Sequence, residues 1–334
     1  MIINLSFLIL LFFIHYVVCK KKNKFFGEKF LDIPNINRKI HNKPTYLIGG
    51  HFIFVSYSFF YLLSLDYNLN QKLVFILVLS VIFIIGIIDD LKDLNPIKKT
   101  FYILFVYLTL VYLDNDYLLN KIYIETFEKN FNFGIYSYLI SSLCILLLIN
   151  AVNLIDGING LAMMIFLIWS SFLYYFLNSD FNIFAFIFYL FIFFNIYKGR
   201  YFLGNSGSLI IGALIALSTI KTYNVNFIEK NSVEDIFILF LLPGIDMLRL
   251  FLQRIIKKQN PFKADNSHLH HLLIKIFSLQ KVLFCYFVII VVSSYAAFND
   301  YLSEILIVSI NIFIYISVLF LLNKKLSNKN DNYR

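Results

Sequence analysis

Two adjacent carboxylates, Asp89 and Asp90, end a long apolar run and are followed by Lys98 and Lys99. Neighbouring residues on a helix point about 100° apart. One carboxylate can therefore bind a metal while the other faces a second substrate, and Lys99 suits a phosphate. The structural alternative is a helix that stops at the headgroups, because a carboxylate at mid-bilayer costs about 2.5–3.5 kcal/mol and less near the interface. The pattern leaves both interpretations open.

Four polar side chains recur every three residues in a second segment: Asn150, Asn153, Asp156 and Asn159. Two of them precede glycine, which breaks one helix and caps the next, and this accounts for one or two of the set. Since a connector needs only one or two turn formers, the regular spacing favours a binding surface.

Glycines surround a third segment, in which Asn205, Ser206 and Gly207 precede an apolar run. Backbone N–H groups at a glycine-rich helix N-terminus bind anions. The segment lacks the GK[ST] ending of a nucleotide P-loop, so it predicts an anion site of another kind.

Cations and histidines are concentrated in two further segments. The first carries Arg38 and His41, and its bland interpretation is a basic loop against anionic lipid headgroups. The second carries Arg254, Asp265, His268, His270 and His271. Asp/His clusters bind zinc, but HxHH lacks the HExxH order. Aided by Arg and Lys, such histidines can also donate to phosphate oxygens.

The composition indicates which elements must position these groups. Of the 334 residues, 60% are apolar and 15% charged, and the mean hydropathy is +0.75. A soluble domain is about 25% charged, and disorder needs low hydrophobicity. Three separated cysteines in or beside apolar runs do not make a disulfide scaffold. The class that is left is a polytopic helical membrane protein.

Apolar runs of about 15–20 residues recur from end to end and predict eleven spans, or ten, since two are short. They lie near residues 2–19, 46–65, 73–88, 100–113, 134–150, 161–177, 183–197, 208–220, 236–250, 282–298 and 302–322. The predicted fold class is therefore all-α, with residues 1–334 forming one transmembrane catalytic domain.

The positive-inside rule orients the spans. No Lys or Arg precedes Cys19 and a lysine cluster follows it, so the first span is predicted to be a retained helix with its N-terminus outside, not a secretory signal. All but five of the 29 Lys and Arg residues then fall in inner segments, and the C-terminus is cytoplasmic. The polar clusters occupy the inner loops 20–45, 89–99, 151–160, 198–207 and 249–281. The outer connectors 114–133 and 221–235 are expected to be solvated links.

The inner loops thus combine carboxylates, amides, cations and glycine turns on one membrane face. Carboxylates beside bound anions make sense if a divalent cation joins them. This predicts a membrane enzyme acting on a phosphate-bearing substrate at the cytoplasmic face, where a soluble activated donor meets a lipid acceptor. The rival class is a multi-pass transporter or flippase for a lipid-linked sugar, which the nearly charge-free span interiors disfavour.

Five motifs, in order along nearly the whole chain, resemble those of the polyprenyl-phosphate N-acetylhexosamine-1-phosphate transferases, which include the phospho-MurNAc-pentapeptide translocase. They are D-x-P-x-x-x-R-x-x-H-x-x-P with a following GG (Asp32 to Gly50), DD with N-P-x-x-K (Asp89 to Lys99), N-A-x-N-x-x-D-G-x-x-G-L (Asn150 to Leu161), G-x-x-G-S (Gly204 to Ser208) and P-F-x-x-D-x-x-H-x-H-H (Pro261 to His271). The HLHH form is similar to the branch that starts O-antigen and related surface polysaccharides.

The resemblance implies transfer of a sugar 1-phosphate, such as GlcNAc-1-phosphate, from a UDP-sugar to undecaprenyl phosphate in the bacterial inner membrane, with release of UMP. It implies Mg²⁺, or Mn²⁺ in its place. The implied partners are a UDP-N-acetylhexosamine, undecaprenyl phosphate and membrane lipids, without nucleic acid, and a homodimer is left open. Direct attack by the lipid phosphate and double displacement through an aspartyl phosphate both remain open, as does the identity of the sugar.

Residue roles follow from the matched motifs. The implied catalytic residues are Asp89, Asp90, Asp156, His268, His270 and His271. The implied metal ligands are Asn205, Asp156 and Asp90. The implied substrate-binding residues are Arg38, His41, Lys99, Asn150, Asn153, Asn159, Ser206, Gly207, Arg254 and Asp265.

The chain departs from the family pattern at a proposed metal ligand. Asn205 stands where the family usually has a ligating Asp; its carbonyl oxygen can still bind a hard cation, with one negative charge fewer. Asn159 stands where many relatives have Asp, and Ile103 where a Gln is common.

Overall fold

The computed structural model describes residues 2–34, 43–64, 68–177, 182–225, 232–260 and 266–331. In these ranges the α-helices are α1 Ile2–Lys20, α2 Lys22–Phe26, α3 Gly49–Leu63, α4 Leu69–Lys92, α5 Pro96–Leu113, α6 Ser137–Ile155, α7 Leu161–Leu177, α8 Ile183–Tyr197, α9 Gly204–Val225, α10 Val233–Ile256, α11 Leu269–Ile274, α12 Leu279–Phe298 and α13 Glu304–Asp331. Two small sheets pair β1 (Leu31–Asp32) with β2 (Thr45–Tyr46) and β3 (Lys121–Ile124) with β4 (Lys129–Asn132).

The all-α membrane fold is confirmed. In the described part of the chain, seven helices are long and apolar enough to cross a membrane: α1, α4, α5, α6, α9, α12 and α13. The helices α3, α7 and α8 are apolar but shorter, and α10 contains Pro243 and several charged residues. The number of crossings and their orientation stay predictions.

The helices extend past the predicted apolar runs. Helix α4 continues through the two carboxylates to Lys92, and α9 begins at Gly204. Polar side chains near the headgroups do not end a helix by themselves, because the backbone groups still need hydrogen-bond partners. Helix α5 begins where its sequence specifies a start: Asn95 accepts from the Ile97 N–H at 2.9 Å, and Pro96 occupies the first turn.

The chain divides into two compact units. Unit 1 comprises residues 1–121 and 132–228, and unit 2 comprises residues 122–131 and 229–334. Unit 1 therefore contains α1 to α9, and unit 2 contains α10 to α13. The assignment of residues 1–334 to one catalytic domain stays a prediction.

Helix α9 is the central helix of unit 1. Its side chains are buried nearly all round, as expected for a helix enclosed by others, and α3, α4, α6 and α7 pack against it. Glycines let the backbones approach. A Cβ on Gly86 of α4 would lie 2.9 Å from the Ser206 nitrogen, and a Cβ on Gly50 of α3 would lie 2.6 Å from the Gly207 Cα. Small residues serve this purpose between membrane helices.

The outer connector 114–133 is only partly solvated. Its first half buries Tyr117, Leu118 and Leu119, and the Lys221 ammonium lies 4.9 Å from the centre of the Tyr117 ring. Strand β4 is exposed throughout. The prediction of a solvated link is therefore wrong for the first half of the connector, because its apolar residues have a helical surface to pack against.

Substituting Gly86 by alanine is expected to destabilise the protein by about 1–3 kcal/mol, because the new methyl group overpacks the contact with α9. The matched control is Gly244→Ala in α10, where a Cβ would meet no heavy atom within 4 Å. Alanine is the better helix former by about 1 kcal/mol, so the control should not lose stability. Thermal unfolding of the purified protein in detergent measures both, and equal melting temperatures would contradict the close packing of α4 on α9.

Candidate active site

Asp89 is buried beside Lys99 at the turn that joins α4 to α5. Its Oδ2 lies 2.8 Å from the Lys99 ammonium, and its Oδ1 accepts from the Leu94 N–H at 2.8 Å. The two side chains neutralise each other away from water, and breaking such a buried pair leaves an uncompensated charge. Asp89 thus closes the turn and fixes the Lys99 ammonium in place. A role for Lys99 in binding phosphate stays a prediction.

Asp90 caps the N-terminus of α9. Its two carboxylate oxygens accept from the Asn205 N–H at 2.6 Å and the Ser206 N–H at 3.0 Å. These N–H groups have no partner inside their own helix, and the helix dipole favours a negative charge there. Gly204 precedes them with a φ of +76°, and a Cβ on it would lie 2.9 Å from Asp90 Oδ2. The protein's own carboxylate therefore takes two N–H groups of the predicted anion site.

The amide-rich segment lies at the end of α6 and in the turn that follows. Asn153 accepts from the Ser208 hydroxyl at 2.8 Å, which ties α6 to the first turn of α9. Asn150 donates to the Leu146 carbonyl, one turn back in its own helix, at 2.8 Å. Asp156 is the C-cap of α6.

Asn159 lies near the turn between α8 and α9. A Cβ on Gly199 would lie 3.5 Å from the Asn159 Nδ2, and Gly199 has a φ of +64°. The four polar residues are thus distributed between the end of α6 and the turn that follows it.

Asp156 and Asp90 repel each other. Burial raises the pKa of Asp156 well above its usual range, and the negative charge of Asp90 acts in the same direction. Two carboxylates in one low-dielectric region are stabilised by a bound cation. Asn205, whose backbone N–H donates to Asp90, also carries a side-chain amide oxygen. Carboxylate and amide oxygens are the ligands that hard divalent cations prefer.

Asp246, within α10, is the centre of a buried hydrogen-bond network in unit 2. Its Oδ2 lies 2.8 Å from His268 Nδ1, and its Oδ1 accepts from the Tyr315 hydroxyl at 2.7 Å and from the Arg249 guanidinium at 2.9 Å. Arg249 Nε also donates to the Tyr315 oxygen at 2.6 Å. The Leu269 N–H donates to Asp246 at 3.1 Å. One carboxylate therefore joins α10 and α13 to the start of α11.

The contact with Asp246 orients the His268 ring. An ionised carboxylate only accepts hydrogen bonds, so Nδ1 of His268 carries the proton and Nε2 is left for a ligand. In the described residues, Nε2 of His268 and both ring nitrogens of His270 are buried without a hydrogen-bond partner. Such atoms need an explanation in a folded protein, and a bound polar ligand supplies one.

The three histidines are neighbours. The ring centres of His268 and His270 lie 5.6 Å apart, and those of His270 and His271 lie 4.2 Å apart. Burial lowers the pKa of His270 well below its usual range, and positive charge on His271 and His268 acts in the same direction. His270 is therefore neutral at pH 7 and offers one donor and one acceptor nitrogen.

The structure groups the predicted residues within each unit. Unit 1 pairs Asp89 with Lys99 and joins Asp90 to Asn205 and Ser206, while Gly207 is buried in the first turn of α9. Unit 2 holds the three histidines and, in the last turn of α10, Arg254. Arg38, His41 and Asp265 lie outside the described residues.

The sequence predictions assigned no role to three residues of the Asp246 network: Asp246 itself, Arg249 and Tyr315. Asp246 and Arg249 form an i,i+3 ion pair at 2.9 Å, and opposite charges at that spacing inside an apolar run were a usable signal. Tyr315 carried no such signal, because it is one of many aromatic residues in apolar runs.

These features define a polytopic membrane enzyme with carboxylate and amide groups at helix ends and a buried histidine cluster. The family model described as glycosyl transferase family 4 matches residues 72–223, which run from the start of α4 to the end of α9. Together with the curated relatives, this match supports the polyprenyl-phosphate N-acetylhexosamine-1-phosphate transferase family and a sugar-phosphate transferase activity.

Curated relatives agree with this assignment. The chain is 26% identical over 243 residues, 70% of its own length and 67% of the relative's, to a probable undecaprenyl-phosphate N-acetylglucosaminyl 1-phosphate transferase of Bacillus subtilis. It is 28% identical over 247 residues (73% and 72%) to the undecaprenyl-phosphate alpha-N-acetylglucosaminyl 1-phosphate transferase of Thermotoga maritima. It is 24% identical over 263 residues (73% and 69%) to the enzyme of the same name from Escherichia coli K12.

Substituting Asp246 by asparagine is expected to lower the transferase kcat about 10–100-fold, as is usual when the group that orients a functional histidine is lost. In a His268→Ala background the same substitution should add almost nothing, because the ring that Asp246 orients is gone. Steady-state kcat of the two single variants and the double variant tests this. Effects that multiply in the double variant would show that Asp246 does not act through the His268 ring.

Proposed function

We propose that this enzyme transfers N-acetylglucosamine 1-phosphate from UDP-N-acetylglucosamine to undecaprenyl phosphate. The observation that carries the proposal is the grouping of Asp90 with the Asn205 N–H at the start of α9, together with the repulsion between Asp90 and Asp156. Such a grouping suits a cation-bound diphosphate. The substrates are those in the names of the relatives above.

The cellular setting is part of the same proposal. The excess of Lys and Arg in the inner loops supports a multi-pass protein of the inner membrane with its active site on the cytoplasmic face. The HLHH form at residues 268–271 supports a role in the first membrane step of an O-antigen-like surface polysaccharide.

Residues of unit 1 suit a magnesium ion, and Mn²⁺ has the same ligand preferences. Asp156 and Asp90 are two acids whose negative charges repel each other when no cation is bound. The side chain of Asn205 would add an amide oxygen. Bound Mg²⁺ would neutralise the donor diphosphate and polarise its phosphoryl oxygens.

The transfer makes one bond and breaks one bond. An oxygen of the lipid phosphate bonds to the β-phosphorus of the UDP-sugar, and the bond from that phosphorus to the bridging oxygen breaks, so UMP leaves. The lipid phosphate is already an anion at pH 7, so alignment and charge neutralisation supply most of the catalysis. Lys99, held by Asp89, is a buried cation of unit 1 and would face phosphate charge.

We assign the histidines to the binding of substrate phosphate oxygens. His268 presents Nε2 once Asp246 holds its Nδ1, and neutral His270 can donate from one nitrogen. We assign the binding of the uridine to three residues at the end of α6 and in the following turn: Asn150, Asn153 and Asn159.

Isotope exchange tests this function. Membranes containing the protein, UDP-N-acetylglucosamine, Mg²⁺ and labelled UMP should form labelled UDP-sugar. Asp90→Asn should lower exchange at least about a hundredfold, because it removes the negative charge of the side chain that caps α9. The matched control is Asp93→Asn, three residues on. Asp93 is exposed with a φ of 47°, a conformation that asparagine tolerates, so this variant should keep its exchange rate.

The outcomes separate the rival functions and the two mechanisms. A flippase gives no exchange, and exchange unaffected by Asp90→Asn would remove Asp90 from the site. Purified, lipid-free enzyme that exchanges label supports double displacement, because direct transfer needs the lipid product as the sugar-phosphate donor in the reverse reaction.

The Asn205 side chain offers a test of the metal assignment. Asn205→Asp should keep activity and lower the Mg²⁺ concentration for half-maximal rate, since it restores a negative charge. Asn205→Ala should lose most of the rate, because it removes the oxygen. A magnesium titration of the parent and both variants at saturating donor measures this. An alanine variant that matches the parent throughout would show that position 205 does not bind the metal.

A further inference from the structure

A second group of carboxylates lies at the other end of unit 2 from its histidines, where α10 begins and α12 ends. Oxygens of Glu125, Asp300 and Glu304 lie within 4.8 Å of one another; we name these residues the three-carboxylate cluster. Asp246 is eleven residues further along α10 than Asp235, about 16 Å at 1.5 Å per residue. The cluster is therefore separate from the Asp246 network.

Each acid of the cluster comes from a different part of the sequence. Glu125 lies in the turn between β3 and β4, Asp300 lies just after α12, and Glu304 begins α13. The turn is anchored by Glu234 of α10, whose carboxylate accepts from the Glu125 N–H at 2.8 Å and the Thr126 N–H at 3.1 Å. Glu304 also suits its helix N-terminus, but that role does not require three carboxylates to converge.

Asp235 gives an independent indication that a ligand belongs here. Its side chain is only 4% exposed, and its Oδ2 accepts from the Ser232 hydroxyl at 2.8 Å. Its Oδ1 is buried and, in the part of the chain that the structure describes, has no hydrogen-bond partner. Asp235 is repelled by all three acids of the cluster, so this orphaned oxygen lies in the same negative region.

We propose that the three-carboxylate cluster, beside the buried Asp235, binds one hard divalent cation, either Ca²⁺ or Mg²⁺. Oxygen ligands lie about 2.3–2.6 Å from Ca²⁺, so ligand oxygens on opposite sides of the ion are about 5 Å apart. The 4.8 Å limit within the cluster matches that span. The ion would tie the β3–β4 turn to the ends of three helices and offset the mutual repulsion of four acids.

The charges around Glu125 are consistent with this balance. Its pKa is raised by burial first, and then by the negative charges of Glu304, Asp300 and Glu234. A bound cation reverses the sign of that local field.

The proposal is tested by the effect of removing one carboxylate on the melting temperature, which should change sign when a divalent cation is added. Without divalent cations, Glu304→Gln should melt at the same temperature as the parent or higher, because one repulsive charge is removed. With about 5 mM Ca²⁺, above the range of about 0.1–1 mM typical of extracellular Ca²⁺ modules, the parent should melt higher by about 3 °C. The half-saturating Ca²⁺ concentration should rise at least about tenfold in the variant. Any Ca²⁺ bound in unit 1 affects both proteins equally.

The matched control is Glu128→Gln, which removes an exposed acid from the same β3–β4 turn outside the cluster. It should respond to Ca²⁺ as the parent does. Asp300→Asn is the second variant and carries the test if Glu304→Gln aggregates, because asparagine tolerates the φ of 54° at this exposed position. Repeating the titration with Mg²⁺ identifies the preferred ion.

Two results would overturn the proposal. If the cluster variants stay more stable than the parent at every Ca²⁺ and Mg²⁺ concentration, the acids only repel one another. If they are less stable by the same amount with and without cation, the acids have a structural role that needs no ion. Neither result depends on the reaction that the enzyme catalyses.

Discussion

Unit 1 depends on the contact between the Asp90 carboxylate and the first N–H groups of α9. Helix α9 is enclosed on nearly every side, so unpaired N–H groups at its start would lie away from water at a cost of a few kcal/mol. Asp90 pairs with two of them from α4, and the close contact at Gly86 keeps α4 and α9 near enough for this. The same contact positions Asn205 and, through Ser208, the Asn153 amide.

A second carboxylate organises unit 2 in a similar way. Asp246 accepts from groups on three helices, and it is tolerated in an apolar helix because Arg249 compensates its charge. Asp89 is compensated likewise by Lys99. Among the described residues, Asp90 and Asp156 form no such ion pair, and burial makes their charges costly. Asp89 and Asp246 are thus neutralised by cationic side chains within the fold, whereas the proposed cation would compensate Asp90 and Asp156.

The carboxylates near the β3–β4 turn follow neither of these two arrangements. Glu234 is used by the backbone of the turn, and Asp235 bonds the N-cap serine of its own helix with one oxygen only. The three acids around it share one negative region. Asp235 is buried and repelled by all three acids. A bound cation would compensate this charge, and this is the physical reason to look for a cation at this end of unit 2.

The sequence alone determined the membrane class, the helical fold and the segments that carry polar chemistry, because twenty-residue apolar runs and periodic polar residues are local patterns. It also indicated the residue types of the site, since carboxylates, amides and histidines have chemistry wherever they lie. Tertiary structure decided their partners. How the helices pack decides that Asp89 pairs with Lys99, whereas Asp90 caps a helix over a hundred residues away. It also decides that Tyr315 completes the Asp246 network. Likewise, three acids 4.8 Å apart or closer come from segments separated by up to about 180 positions, a distance that no local pattern spans.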